Sequence, residues 1–153
     1  MGESPRAARI RCREIMTSDV RTATPETSLQ DVAVLMRDGD MGAVPVVKDG
    51  KLVGIVTDRD IVVRAVADGK AASSPVADAI TTEIFSVSPD DFVFEAIRIM
   101  GDKQVRRIPV VDETGALAGI IAMADVALEM EDEREIAETL EEISSGSAFW
   151  NKK

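Results

Sequence analysis

The chain has no histidine and no tyrosine, one cysteine (Cys12), and only 3% aromatic residues. Without histidine it lacks the commonest general base and any Cys–His nucleophile pair, and a zinc site loses one of its usual ligands. A single cysteine excludes an internal disulfide and fits a reducing compartment. No apolar run approaches the roughly 18 residues that a membrane-spanning helix needs. The opening stretch MGESPRAARIRCRE has no apolar core of a signal peptide, and Arg6 stands where a myristoylation site wants a hydroxyl residue. The expectation is a soluble, cytoplasmic protein with no membrane partner.

Positive charge is also scarce. Lys and Arg total 18 against 28 Asp and Glu, for a net charge of −10. Such a surface repels phosphate over most of its area, which argues against a nucleic-acid partner. It leaves room for one small phosphate site that carries its own cations. What remains is 45% apolar and 30% charged, a globular composition. A length of 153 residues suits one domain or two small halves sharing a core.

The chain is written twice. Ile15-Met16-Thr17 is echoed by Ala79-Ile80-Thr81, Thr24-Pro25 by Ser88-Pro89, Met36 by Met100, and Pro45-Val46-Val47 by Pro109-Val110-Val111, all at an offset of 64 residues. One extra residue in the turn after Val111 shifts the offset to 65, so that Gly54 matches Gly119 and Asp60 matches Asp125. In the first copy Ser28 can cap a helix whose Leu29, Val32, Ala33 and Met36 share one face, with Gly39 as its stop. Two β-rich runs, AVPVV and LVGIV, flank an Asp49-Gly50 hairpin signal. GIVTDRD then leads into a second helix ending at Gly69. In the second copy Ser88-Pro89 starts a helix bearing Val93, Ala96, Ile97 and Met100, RRIPVV and LAGIIA form the strand pair, and Asp125 opens the last helix. Each copy reads as strand, helix, strand, strand, helix.

The boundaries expected are a flexible basic arm at 1–9, a first repeat at 10–69, a linker at 70–76, a second repeat at 77–130, and an acidic helix and tail at 131–153. Neither repeat buries much alone, so an α/β fold with the repeats packed through their sheets about a pseudo-two-fold axis is expected.

Thr57 and Asp60, three apart at a strand-to-helix junction, admit two readings. One is a capping box, with Thr57 as N-cap and an acidic residue at N3. The other is a ligand site.

The IMT opening, the Pro-Val strand and the G-h-h-T-x-x-D element (h, apolar), each met twice over residues 10 to 130, resemble the tandem cystathionine β-synthase (CBS) domain pair, or Bateman module, of the stand-alone bacterial type. The resemblance implies that an adenine nucleotide or related adenosyl ligand binds between the copies, with Asp60 on the ribose hydroxyls and Thr57 near the ribose-phosphate. A carboxylate, which only accepts hydrogen bonds, suits a vicinal diol. The family's basic phosphate pair falls at Arg106 and Arg107. Adjacent strand residues point to opposite faces, so one of the two is expected to reach the phosphate while the alternative has both facing solvent or acidic side chains. The adenine would lie against Thr17, Thr22, Ala23 and Met41-Gly42-Ala43.

The second copy departs from the pattern. Its motif reads GIIAMAD, with Ala122 in place of Thr57, and its cross-copy phosphate positions are Gly42 and Ala43. A weak second site on Asp125 is expected, to which Arg59 either reaches across or, on the plainer reading, stays on a solvated helix face beside Asp58.

The acidic run at 129–142 carries Ile136, Leu140 and Ile143 at helical spacing. It is read as an extension of the last helix or as a partner contact, and Phe149-Trp150 as an aromatic anchor in the tail. The expected function is a non-enzymatic adenine-nucleotide sensor that forms a homodimer, signals to a protein partner and requires no cofactor or metal. The alternative is a scaffold of the same fold without a physiological nucleotide. A hydrolase using Asp58 and a metal is disfavoured by the missing histidines.

Overall fold

The computed structural model describes residues 9–129, so the acidic run beyond 129, the Phe149-Trp150 tail and most of the basic arm lie outside the described residues. The elements in order are α1 (Cys12–Ile15), α2 (Leu29–Gly39), β1 (Ala43–Lys48), β2 (Lys51–Thr57), and α3 (Asp58–Asp60), which continues as a π-helix over Ile61–Val66. A 3₁₀ turn at Val76–Asp78 precedes α4 (Val93–Lys103), β3 (Arg107–Val111), β4 (Leu117–Ala122) and α5 (Met123–Glu129). The fold is mixed α/β, with one two-stranded antiparallel sheet, β1-β2 or β3-β4, in each repeat. Among the described residues no helix is long and apolar enough to cross a membrane.

The local signals act as expected at most elements. The Ser28 hydroxyl accepts from Asp31 N (3.1 Å) and caps α2. Asp49 and Gly50 both take positive φ (54° and 77°), the twist that lets a tight turn join β1 to β2. Three expectations change. Ala33 is exposed: α2 buries Leu29, Val32 and Met36, and Leu35 takes the flanking contact with the core. The left-handed residue ending α2 is Asp40 (φ 49°), one position beyond Gly39. And α4 starts at Val93 rather than at Ser88-Pro89, because Ser88 N is taken by the Asp91 carboxylate (2.8 Å) in a preceding turn.

The chain divides into two compact units that do not coincide with the repeats. The first unit is Val20–Ile84 with Thr114–Leu117, and the second comprises 9–19, Phe85–Glu113 and 118–129. The opening segment of each repeat thus belongs to the unit holding the other repeat's sheet. In the first unit Ile55 and Thr81 exchange backbone hydrogen bonds (3.0 and 2.8 Å), and in the second Thr17 and Ile120 do the same (both 2.9 Å). These are single bridges, not the full strands expected at the start of each copy.

A glycine permits each crossing. A Cβ on Gly119 would stand 2.6 Å from the Thr17 carbonyl oxygen and 2.9 Å from Met16 Cγ and Sδ. On Gly54 it would stand 2.8 Å from Ile80 Cδ1 and 3.1 Å from the Thr81 carbonyl oxygen.

The first core gathers Leu29, Val32, Val44, Val46, Val56 and Val76; the second gathers Cys12, Val93, Met100, Ile108, Val110, Ile121 and Val126. Two arginines just beyond the arm are fastened to the second unit. Arg11 lies over the Phe92 ring (4.6 Å to its centroid) and donates to Asp90 O, while Arg13 pairs with the Asp90 carboxylate.

Three outcomes are expected. Gly119→Ala should destabilise the chain by about 1–3 kcal/mol in denaturant titration, and by more than Gly54→Ala, because a backbone oxygen cannot yield as the tip of Ile80 can. Burial, and secondarily the Asp91 charge, push the Cys12 thiol up to about 12. The folded state therefore holds this proton where the unfolded chain releases it, so stability should fall as pH rises from 9.0 towards 12. At neutral pH a disulfide reagent should label Cys12 only after denaturant is added.

Candidate functional site

The residues singled out at the end of β2 form a tight local network in the first unit. Thr57 is the N-cap of α3: its Oγ1 accepts from Asp60 N (3.0 Å), and Asp60 Oδ2 accepts from Thr57 N (3.0 Å). The capping box is therefore real, and it has a consequence for chemistry. Fixing Oδ2 against the backbone also fixes where Oδ1 points. Thr81 adds a second donor, its Oγ1 lying 3.4 Å from Asp60 Oδ2. Arg64 Nε stands 3.8 Å from Oδ1, too long for a hydrogen bond. The Asp60 side chain is 14% exposed. The result is an oriented carboxylate with one oxygen satisfied and the other open to a hydroxyl donor.

Of the other expected site residues, Gly42 and Ala43 meet this point through the backbone. Ala43 is the sheet partner of Thr57, and Gly42 O accepts from Asp58 N (3.0 Å). A Cβ on Gly42 would come within 3.5 Å of the Asp58 carboxylate, so the site's edge is lined by backbone and not by a side chain. Met41 is half-buried, with its N–H bonded to Met36 O (3.0 Å). Ala23 is bound through its backbone to Pro45 and Val47, and its side chain belongs to the core; Thr22 beside it is exposed. Arg59 is exposed, and its backbone N–H, not its guanidinium, bonds Asp58 Oδ1 (2.8 Å).

Thr17, Arg106, Arg107 and Asp125 lie in the second unit. Arg106 and Arg107 are exposed at the start of β3, and neither forms an ion pair with another described residue, so the acidic side chains expected on the plainer reading do not claim them. Arg106 O accepts from Met123 N (2.8 Å), matching Gly42 O and Asp58 N in the first unit. Asp125 Oδ2 accepts from Ala122 N (3.0 Å), but Ala122 has no hydroxyl to return the bond. This is half a capping box.

Thr81 is the residue that sequence reasoning passed over as a site member. The offset pairs it with Thr17, which draws attention to each threonine within its own copy. Instead, the exchange of opening segments brings Thr81 to Asp60.

A CBS domain model matches the chain at residues 12–66 and again at 76–132. The chain belongs to the CBS domain family. It is 37% identical over 140 residues to the CBS domain-containing protein YhcV of Bacillus subtilis, spanning 91% of this chain and 92% of that one. Among solved structures it is similar to Hypoxic Response Protein I, crystallised with two coordinated zinc ions, at 33% identity and a TM-score of 0.72 over 78% of this chain and 98% of that one. It is also similar to CBSX2, solved in complex with AMP, at 27% identity and a TM-score of 0.70 over 78% of this chain and 94% of that one. Among the described residues of this chain, no group of three or more His, Cys, Asp or Glu side chains is arranged to hold a metal ion.

The asymmetry of the two boxes can be measured. Thr57→Ala should cost about 1 kcal/mol through the lost cap. Ala122→Thr, which restores the second box, should gain stability, and chemical denaturation of the two variants reads both signs.

Proposed function

We propose that this CBS pair is a regulatory module that binds an adenine nucleotide. In this reading Asp60 holds the ribose hydroxyls, Thr57 borders the phosphate, and Arg106 and Arg107 supply positive charge to it. The observation that carries it is the Asp60 carboxylate, whose Oδ2 is held by Thr57 N and Thr81 while Oδ1 stays open. A preoriented acceptor binds a diol without first losing rotamer freedom, which strengthens a small contact. The likeness to CBSX2, solved with AMP, supports the ligand class.

The module carries no chemistry of its own in this reading. Its output is a change of conformation that favours the ligand-bound state and that a partner reads. The second copy, with Ala122 and with the uncharged Gly42 and Ala43 at its phosphate positions, is the weak site in this reading. A homodimer is part of the reading: Val62, Val63 and Val66 are 58%, 49% and 67% exposed, an apolar stripe of the kind that marks protein contacts.

Calorimetric titration with AMP, ADP, ATP and S-adenosylmethionine tests the proposal. Saturation near one ligand per chain is expected. Asp60→Asn is the sharper control than Asp60→Ala, because the amide oxygen can still accept from Thr57 N while the outward atom becomes a donor. Asp60→Asn should therefore stay folded and bind at least about tenfold more weakly, the scale of one hydrogen bond to a charged group. A folded protein that binds none of the four ligands would hand the fold to a scaffold role.

A further inference from the structure

Arg64 lies one helical turn beyond Asp60, in the π-helical segment, where Ala67 N bonds Val62 O (2.9 Å). Such widened turns are rare and concentrate at functional segments. The Arg64 side chain is 52% exposed, yet it is engaged on two sides. Its Nε faces Asp60 Oδ1 at 3.8 Å, and its Nη1 donates to the Ile80 carbonyl at 3.2 Å. Ile80 precedes Thr81, whose hydroxyl holds the other oxygen of the same carboxylate. Asp60, Arg64, Ile80 and Thr81 therefore close a ring of contacts around the open oxygen.

Among the described residues, the second copy has no arginine in the matching place. At the offset of 65, the residue matching Arg64 is Glu129, so the charge at this position reverses between the copies. An arginine beside the carboxylate attracts it and limits its rotation, whereas a glutamate at the same spacing repels it.

We propose that Arg64 is the positioning residue of the ligand site: it keeps Asp60 Oδ1 turned outward and pins the Ile80-Thr81 segment against the helix, which makes the first copy the nucleotide-competent one. This rests on the adenine-nucleotide reading for its consequence, though not for its geometry. Arg64 acts through Asp60 and not by touching the phosphate, so its charge and its reach both matter.

Arg64→Lys, Arg64→Met and Arg64→Glu, each titrated with AMP, test it. Arg64→Met should weaken binding about threefold, the scale of one partly exposed ion pair. Arg64→Glu, which copies the second repeat, should weaken it by about tenfold or more through like-charge repulsion beside the carboxylate. Arg64→Lys should recover most of the loss.

The Thr57 amide proton, bonded to Asp60 Oδ2, reports the carboxylate's position in ligand-free protein, and it should shift in Arg64→Met and return in Arg64→Lys. Wild-type affinity in Arg64→Met, or an unmoved Thr57 amide, overturns the proposal. Absence of AMP binding to the wild-type chain refutes the nucleotide reading and with it the claim of competence, while the amide shift still decides whether Arg64 positions Asp60.

Discussion

Two close backbone approaches carry the architecture: the segment around Thr81 against Gly54, and the segment around Thr17 against Gly119. In each case the absence of a Cβ lets a passing chain hydrogen-bond to a strand that already has a partner on its other side. A side chain at either glycine would push the crossing segment off the sheet. The Thr81–Asp60 bond exists only because of this crossing, and so does the burial of Cys12 in a core built mainly from α4, β3, β4 and α5. The glycine of the G-h-h-T-x-x-D pattern is thus a packing requirement, placed three residues before the threonine that caps the following helix.

The capping and ligand readings of Thr57 and Asp60 are not rivals. A capping box demands that the N3 carboxylate turn back toward the N-cap amide, and that turn leaves the second oxygen facing away from the backbone. Helix initiation therefore does the preorganising that a binding site needs. In the proposed reading, structural stability and ligand recognition use the same side chain through different atoms, one oxygen each.

The repeats diverge along that same line. The first copy has the hydroxyl of Thr57, the second hydroxyl of Thr81 and the cation of Arg64 around its carboxylate; among the described residues, the second copy keeps the bond from Ala122 N to Asp125. The sheets and helix faces are preserved in both, since Val32 and Ala96, or Val46 and Val110, are buried alike. Core positions are constrained by packing in both halves, whereas groups around a partly exposed carboxylate are free to differ.

Much of this was legible from the residues. The duplication, the Asp49-Gly50 turn, the Ser28 cap and the buried face of α4 are local or periodic signals, and each is set by a few neighbouring residues. The pairing of Thr57 with Asp60 belongs to the same class. The start of α4 is not legible in this way, because Ser88 can cap either a helix or a turn, and the Asp91 carboxylate decides for the turn. Ala33 carries too little apolar surface to hold its face of α2 against Leu35. What only the tertiary structure decided is which unit receives each opening segment, and with it the meeting of Thr81, Ile80 and Arg64 at Asp60. A single backbone bridge between distant residues leaves no periodicity and no turn signature in the chain. Its partner is chosen by the space beside a glycine, and that space exists only once the sheet has formed.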